Sequence, residues 1–303
     1  MQVSIIIPSR RREHSLYRLL HSFIKQTPVS MEWNVVVVGD RQSCWTPEFV
    51  GMQFHWLSFY TCTAGGPASA RNLGAMQSTA DWLIFVDDDC VLPPQWLQHW
   101  ENVFNSVPKD VVQIGGPGRP LSKPAQYSAF WYLVESGFLT KPVRLNDRIE
   151  CIPTLNAAIR RDVFQKIGGF DSSFKFAGGE DSDLTYRLYQ HGKVEYSDST
   201  YLYHDHDRSF LNILEMYFRY GRGVAHHIKI RNRPFQEGMF IAGNPFKIFL
   251  LLPLVVRSGW QLSKGILCKN YLQISIVLIC AVGQSLAYQI GGAYEMIRRK
   301  VIG

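Results

Sequence analysis

The sequence has no C-x-x-C pair: its six cysteines (Cys44, Cys62, Cys90, Cys151, Cys268 and Cys280) are scattered along 303 residues. That spacing offers neither a zinc site nor a disulfide framework, and it suits a reducing compartment. No DNA- or RNA-reading signature appears, so nucleic acid is not an expected partner. No repeat or low-complexity segment interrupts a chain that is 46% apolar and 13% aromatic, which excludes a disordered polypeptide. A cleaved signal peptide is not expected either, because Val3 to Ile7 already reads as a core strand.

Acidic residues are scarce at one end. Residues 208–303 hold 13 Lys and Arg against 3 Asp and Glu, net +10, whereas residues 1–207 hold 19 against 22, net −3. The same basic end contains two apolar stretches, Phe246 to Val256, broken by Pro253, and the 18 residues from Tyr271 to Tyr288. A span needs roughly 20 apolar residues, so the first is too short and the second borderline. Basic residues between and after them (Arg257, Lys264, Lys269, Arg298 to Lys300) are spaced to meet lipid head groups. The expectation is a first part, 1–207, held at the cytoplasmic face of a membrane by a helical, basic and apolar part, 208–303.

What the chain does have is a stretch around which the rest is arranged, Trp82-Leu83-Ile84-Phe85-Val86-Asp87-Asp88-Asp89-Cys90. Five apolar residues in a row fit a strand buried on both faces, and three adjacent carboxylates cannot share a dry interior without a cation. The acids therefore belong at the strand's end. In a parallel sheet that end opens on the crevice where ligands bind, and Asp-x-Asp suits a divalent ion and a diphosphate.

Other segments supply the sheet. Val3 to Ile7, Trp33 to Val38, Phe54 to Phe59, Val111 to Ile114, Glu150 to Ile159 and Val194 to Tyr203 read as strands. Helical patterns follow at Leu16 to Ile24, at Leu73, Met76 and Ala80, at Trp96 to Phe104, at Asp162 to Ile167 and at Leu184 and Leu188. Strands separated by helices indicate an α/β fold with a mostly parallel central sheet flanked by helices. Between Arg119 and Asp147 the pattern turns irregular and aromatic (Tyr127, Phe130, Trp131, Tyr132, Phe138), as in a lid, a sugar-stacking surface or local core.

Several side chains are candidates for chemistry. If the central strand continued, Asp87 and Asp89 would point one way and Asp88 the other, toward a ribose hydroxyl. Asp181 follows Gly178-Gly179-Glu180 at a helix start, where the helix dipole would hold it ionised as a general base. Arg71 lies beside the Gly-rich loop Ala64 to Gly74, as a phosphate partner or an ordinary surface arginine. His204 and His206 alternate with acids at a strand end, as metal ligands or phosphate donors.

Taken together, Ile-Ile-Pro-Ser at residues 6–9, Gly-Pro-Ala-Ser-Ala-Arg-Asn-Leu-Gly at 66–74, Phe-Val-Asp-Asp-Asp at 85–89 and Gly-Gly-Phe-Asp at 168–171, followed by Gly-Gly-Glu-Asp-Ser-Asp-Leu-Thr-Tyr-Arg-Leu at 178–188, resemble family 2 glycosyltransferases of the GT-A fold. The resemblance implies an inverting transferase that uses a nucleotide-activated sugar, UDP-, GDP- or dTDP-linked, and a divalent metal, Mn²⁺ or Mg²⁺. It implies a donor pocket at Pro8, Ser9, Arg10, Arg12, Asp40, Arg71, Asp87 and Asp88, metal at Asp89, Asp87 and His204, and Asp181 as base. The acceptor side would be Asn156, Gly179, Glu180 and Trp131, and the acceptor a glycan or a lipid-linked molecule. Arg10-Arg11 stands where the family often has Tyr-Asn, and Gly39 where it often has an acid, so base recognition departs from the family pattern.

Two rival readings exist. A nucleotidyltransferase would need a Gly-rich, basic loop after the first strand, and Pro8 to Arg12 contains no glycine. A catalytically inactive, membrane-docked nucleotide-sugar binder is the other, against which the intact Asp87, Asp89 and Asp181 speak.

Overall fold

The computed structural model describes residues 1–10, 12–40, 54–63, 65–121, 143–145, 148–174, 178–205, 210–231, 286–288 and 290–295. In chain order the elements are β1 (Gln2–Ser9), α1 (Glu13–Ile24), β2 (Glu32–Asp40), β3 (Leu57–Cys62), α2 (Pro67–Met76), β4 (Trp82–Val86), β5 (Cys90–Val91), α3 (Trp96–Ser106), β6 (Val111–Gly115) and β7 (Gly118–Pro120). Then come β8 (Val143–Leu145), β9 (Arg148–Cys151), β10 (Asn156–Arg160), α4 (Arg161–Lys166), α5 (Glu180–Leu188), β11 (Lys193–Tyr196), β12 (Leu202–His204) and α6 (Phe210–Arg231).

Seven strands form one sheet in the order β11-β6-β10-β4-β1-β2-β3. Every pairing in it is parallel except those of β10, which runs antiparallel to both β4 and β6. The continuous apolar runs explain the layering. Successive side chains of a strand face opposite sides, so Ile5, Ile7 and Ile84 meet α1 and α3 through Leu16, Leu20, Trp96 and Trp100. Ile6, Leu83 and Phe85 meet the other layer, where Phe164 of α4 and Leu184 and Leu188 of α5 lie. Helices on both faces are what an internal parallel sheet requires.

The chain divides into two compact units. The first comprises Met1–Leu121, Ser136–Lys175 and Asp181–Asp205, and the second Ser122–Glu135, Phe176–Glu180 and His206–Gly303. Within the second, a Cβ on Gly221 would stand 1.9 Å from the Tyr288 carbonyl oxygen, so α6 and the helical residues 286–288 touch backbone to backbone. Arg222 pairs with Glu295 at 2.8 Å, both shielded from solvent. Among the described residues no helix is long and apolar enough to cross a membrane. The stretches at 246–256 and 271–285, like Trp131 and its aromatic neighbours from Tyr127 to Phe138, lie outside the described residues.

Several boundaries differ from the sequence reading. The third strand is Leu57–Cys62 and not Phe54 to Phe59, because β2 pairs with it in the register Val35 to Leu57. The run Glu150 to Ile159 is two strands in different sheets, β9 and β10, since Pro153 has no N–H to continue a ladder. Val194 to Tyr203 is likewise split, with a 3-10 turn at Asp198–Thr200 separating β11 from β12. Met76 is 75% exposed, so it ends α2 rather than continuing a buried face to Ala80.

Candidate functional site

Strands β1 and β4 lie side by side and parallel, with Ile6 opposite Phe85, so the turns that follow them emerge at the same edge. One turn supplies Ser9, Arg10 and Arg12, and the other Asp87, Asp88 and Asp89. The Ser9 hydroxyl donates to Asp88 at 2.9 Å. The Arg12 guanidinium donates to Asp88 at 3.2 Å and also to Asp89. Beyond β2, Arg10 pairs with Asp40 at 2.8 Å.

A small second sheet, β5-β12-β7, closes the other side of the acids. His204 of β12 pairs with Cys90 of β5, which sets the imidazole Nε2 3.0 Å from Asp89 Oδ1. The Asp205 N–H donates to the Asp89 carbonyl at 2.9 Å, and the Asp205 carboxylate takes an ion pair from Arg18 of α1 at 2.6 Å.

Arg71 reaches the third acid from the opposite layer. It sits buried on α2, donates to Asp87 at 2.9 Å, and has the Phe170 ring 5.5 Å from its guanidinium carbon. The turn carrying Phe170 is held by Asn72, whose side-chain oxygen and nitrogen each meet the Phe170 backbone at 2.8 Å. The motif around Arg71 and the Gly-Gly-Phe-Asp motif are thus one structure.

Asp181 is the second residue of α5 and is held by Thr154, whose N–H donates to one carboxylate oxygen at 3.2 Å and whose hydroxyl donates to the other at 2.7 Å. Burial pushes the Asp181 carboxyl up, while Arg71 and Thr154 pull it back. Loss of water thus makes this carboxyl harder to ionise than an exposed aspartate.

The cluster carries its own strain of charge. Burial, reinforced by Asp89, pushes the Asp88 carboxyl up to about 7, against the pull of Arg12 and Ser9. Burial works against the Arg12 charge, yet Asp89, Asp88 and Asp87 outweigh it and raise the guanidinium further. The alternation expected of a continued strand does not arise at Asp87 to Asp89. The strand ends at Val86, so Asp88 and Asp89 are the acids gripped together by Arg12 and Asp87 belongs to Arg71.

The donor set fits a hard divalent cation. Ligand atoms of Asp89, Cys90 and His204 all lie within 4.8 Å of one another. Burial and the neighbouring acids push the Cys90 thiol well up, so it is a neutral and poor ligand, leaving carboxylate and imidazole. Mn²⁺ and Mg²⁺ accept such ligands, and a cation offsets the crowding felt by Asp88.

Of the remaining expectations, Pro8 pairs with Val38 at the end of β1, half-buried. Asn156, Gly179 and Glu180 each make close contacts with the fold. Asn156 is fully buried and donates to the Thr200 carbonyl at 2.6 Å. Glu180 is buried and accepts from the Gly178 N–H at 2.5 Å. Gly179 has a φ of +84°, and a Cβ there would stand 2.7 Å from the Gly223 backbone. His206 lies outside the described residues. The sequence reading gave no role to Thr154, Asn72, Phe170 and Arg18, although Asn72 and Phe170 lie inside the motifs at 66–74 and 168–171.

Comparison with known proteins bears on the fold and the family. The model of the family "Glycosyl transferase family 2" matches residues 4–168, and that of the "N-terminal domain of galactosyltransferase" matches residues 140–205. Among curated relatives, the pre-mycofactocin glycosyltransferase of Mycobacterium tuberculosis H37Rv is 25% identical over 287 residues, covering 92% of this chain and 58% of that protein. The validoxylamine A glucosyltransferase of Streptomyces hygroscopicus subsp. limoneus is 28% identical over 227 residues, covering 63% of this chain and 48% of that protein. The chain thus spans about half the length of these relatives. Among solved structures, the mannosyltransferase PcManGT of Pyrobaculum calidifontis superimposes with a TM-score of 0.61 at 15% identity, covering 97% of this chain and 86% of that one. Residues 1–349 of S. aureus TarS give 0.55 at 18% identity, covering 99% and 92%. With more than half its length matched by the family model, and the motifs folded into one site, the chain belongs to glycosyl transferase family 2.

Proposed function

We propose that this protein is an inverting glycosyltransferase that moves a sugar from a nucleotide-sugar donor to a hydroxyl acceptor. The observation that carries the reading is Arg71: one buried cation pairs with Asp87 of the acid cluster and also favours the charge of the separate carboxylate Asp181. Such a cation suits a site with a diphosphate on one side and an attacking hydroxyl on the other. The solved neighbours were captured with UDP, with UDP-GlcNAc, and with GDP-Man and Mn²⁺, which supports a nucleotide-sugar donor here, UDP-, GDP- or dTDP-linked.

In this mechanism the donor's base and ribose lie against Pro8, Ser9, Arg10 and Asp40, and its diphosphate against the acids and arginines. Asp89 and His204, with Asp87, would hold a divalent ion, Mn²⁺ or Mg²⁺, which supplies neutralisation of diphosphate charge when bound. The acceptor oxygen attacks the anomeric carbon and Asp181 takes its proton, a task suited to a carboxyl raised by burial. The bond to the diphosphate oxygen breaks as the new one forms, and Arg71 and Arg12 offset the charge on the leaving group. With no enzyme nucleophile interposed, the anomeric configuration inverts.

Isothermal titration with UDP-, GDP- and dTDP-sugars, with and without Mn²⁺, beside an Asp87/Asp89 double-alanine variant, tests the donor site. Metal-dependent binding of one nucleotide class, lost in the variant, is the expected result. Absence of binding to every donor would instead favour a scaffold that has lost catalysis. The basic C-terminal part, net +10 over residues 208–303, supports attachment to the cytoplasmic face of a membrane and a glycan or lipid-linked acceptor. Flotation with anionic vesicles checks this, and failure to float in low salt would sink it.

A further inference from the structure

One face of α5 reads the backbone of the segment before β10. Asp181, Thr185 and Tyr189 are spaced four residues apart, which places them one above another along the helix. The Thr154 N–H donates to Asp181 at 3.2 Å, the Ile152 N–H to the Thr185 hydroxyl at 3.3 Å, and the Ile149 N–H to the Tyr189 hydroxyl at 3.0 Å. Helix and segment therefore run in opposite directions, joined at three successive rungs. The first rung is doubled, because the Thr154 hydroxyl also donates to Asp181, at 2.7 Å. Thr154 is itself 1% exposed and follows Pro153, whose carbonyl accepts from the Asn156 N–H at 3.4 Å, so its backbone is set by the turn into β10.

Resting on the reading of Asp181 as the general base, we propose that Thr154 is its positioning residue. The hydroxyl and N–H grip both carboxylate oxygens and aim the remaining lone pairs at the acceptor, and the lower two rungs serve the fold alone. A carboxylate bonded at one oxygen only is free to rotate about its Cβ–Cγ bond; one bonded at both is not. Each carboxylate oxygen has two lone pairs, so accepting from Thr154 leaves a site for the proton to be received. The doubled bond also favours the charged form of Asp181, as does Arg71 of α2; Asp87, just beyond β4, opposes it.

The test compares Thr154→Val, Thr154→Ser and Thr185→Val, with Asp181→Asn as reference. The Asp181 carboxyl is followed by ¹³C NMR in Asp-labelled protein, its resonance identified as the one absent from Asp181→Asn. In parallel, release of UDP from UDP-glucose and of GDP from GDP-mannose to water is measured against pH. Thr154→Val is expected to move the carboxyl's titration, and the acid limb of release, upward by about one pH unit without changing donor KM. Thr154→Ser restores both, and Thr185→Val lowers the melting temperature without moving either. An unmoved titration in Thr154→Val, or an equal movement in Thr185→Val, overturns the proposal, and the titration decides the matter alone if release is too slow to follow. Full release by Asp181→Asn would instead overturn the base assignment, a distinct failure.

Discussion

Asp88 is buried among other acids, and its crowding has a readable pH signature. Its folded carboxyl is pushed from the ordinary 3.8 to about 7, so the folded state binds this proton more tightly than the unfolded state does. Stability contributed by the protonated form is complete below about 3.8 and is lost as pH rises toward about 7. In metal-free buffer, Asp88→Asn is expected to flatten the fall of melting temperature across that window relative to wild type. An identical slope in both proteins would show that Asp88 does not carry it. At Asp181 the expectation concerns function: Asp181→Asn keeps donor affinity within about twofold yet lowers transfer by on the order of 10² or more. Binding by titration calorimetry and turnover by nucleotide release separate the two effects. Asp183, two residues on, is another matter. It is fully buried and paired with Arg187 at 2.8 Å, so Asp183→Ala should cost about 3–5 kcal/mol in urea unfolding.

Elements bring these side chains together through close contacts that only small residues permit. A Cβ on Gly74 of α2 would stand 2.5 Å from Ile6 Cγ2 of β1, so the helix rests directly on the strand. Because Gly74 is three residues from Arg71, lifting the helix also draws the guanidinium from Asp87. Gly74→Val is expected to cost about 1–3 kcal/mol and to weaken donor binding in step. Thermal melting with donor titration checks this, and unchanged donor affinity in a destabilised variant would show that the helix shifts without moving Arg71. The same scale explains what could be read in the sequence. Apolar runs such as Ile5 to Ile7 and Leu83 to Val86 declared the buried strands, since nothing else tolerates water loss on both faces. Short edge strands declared themselves poorly. The run from Glu150 to Ile159 looked continuous because side-chain pattern carries no record of which sheet a strand joins, and Pro153 alone marked the break. Asp87 and Asp181 were legible as charges at element ends, and Arg71 as a cation beside a Gly-rich loop. Their pairing was not, because it depends on where β4 stops and on the turn that Asn72 holds. Thr154 was invisible for a similar reason: its partner lies 27 residues on, and a threonine after proline has no periodic signature.

The site is built from both ends of the first unit. Ser9 and Arg12 come from its beginning and His204 and Asp205 from its end, and the ion pair between Arg18 and Asp205 spans 187 positions. That pair is half-exposed and is worth only about 0.2–1 kcal/mol, so Arg18→Ala should barely alter melting. Its significance is one of timing. The pairing of β12 with β5 and β7 joins segments far apart in the chain, and contacts so distant in sequence form late. On dilution from denaturant, helical circular dichroism should therefore recover before the ability to bind a nucleotide, with the gap visible by stopped flow. During synthesis the same order applies: β12 is the last strand among the described residues to emerge, and until it does the acid cluster lacks His204 and Asp205.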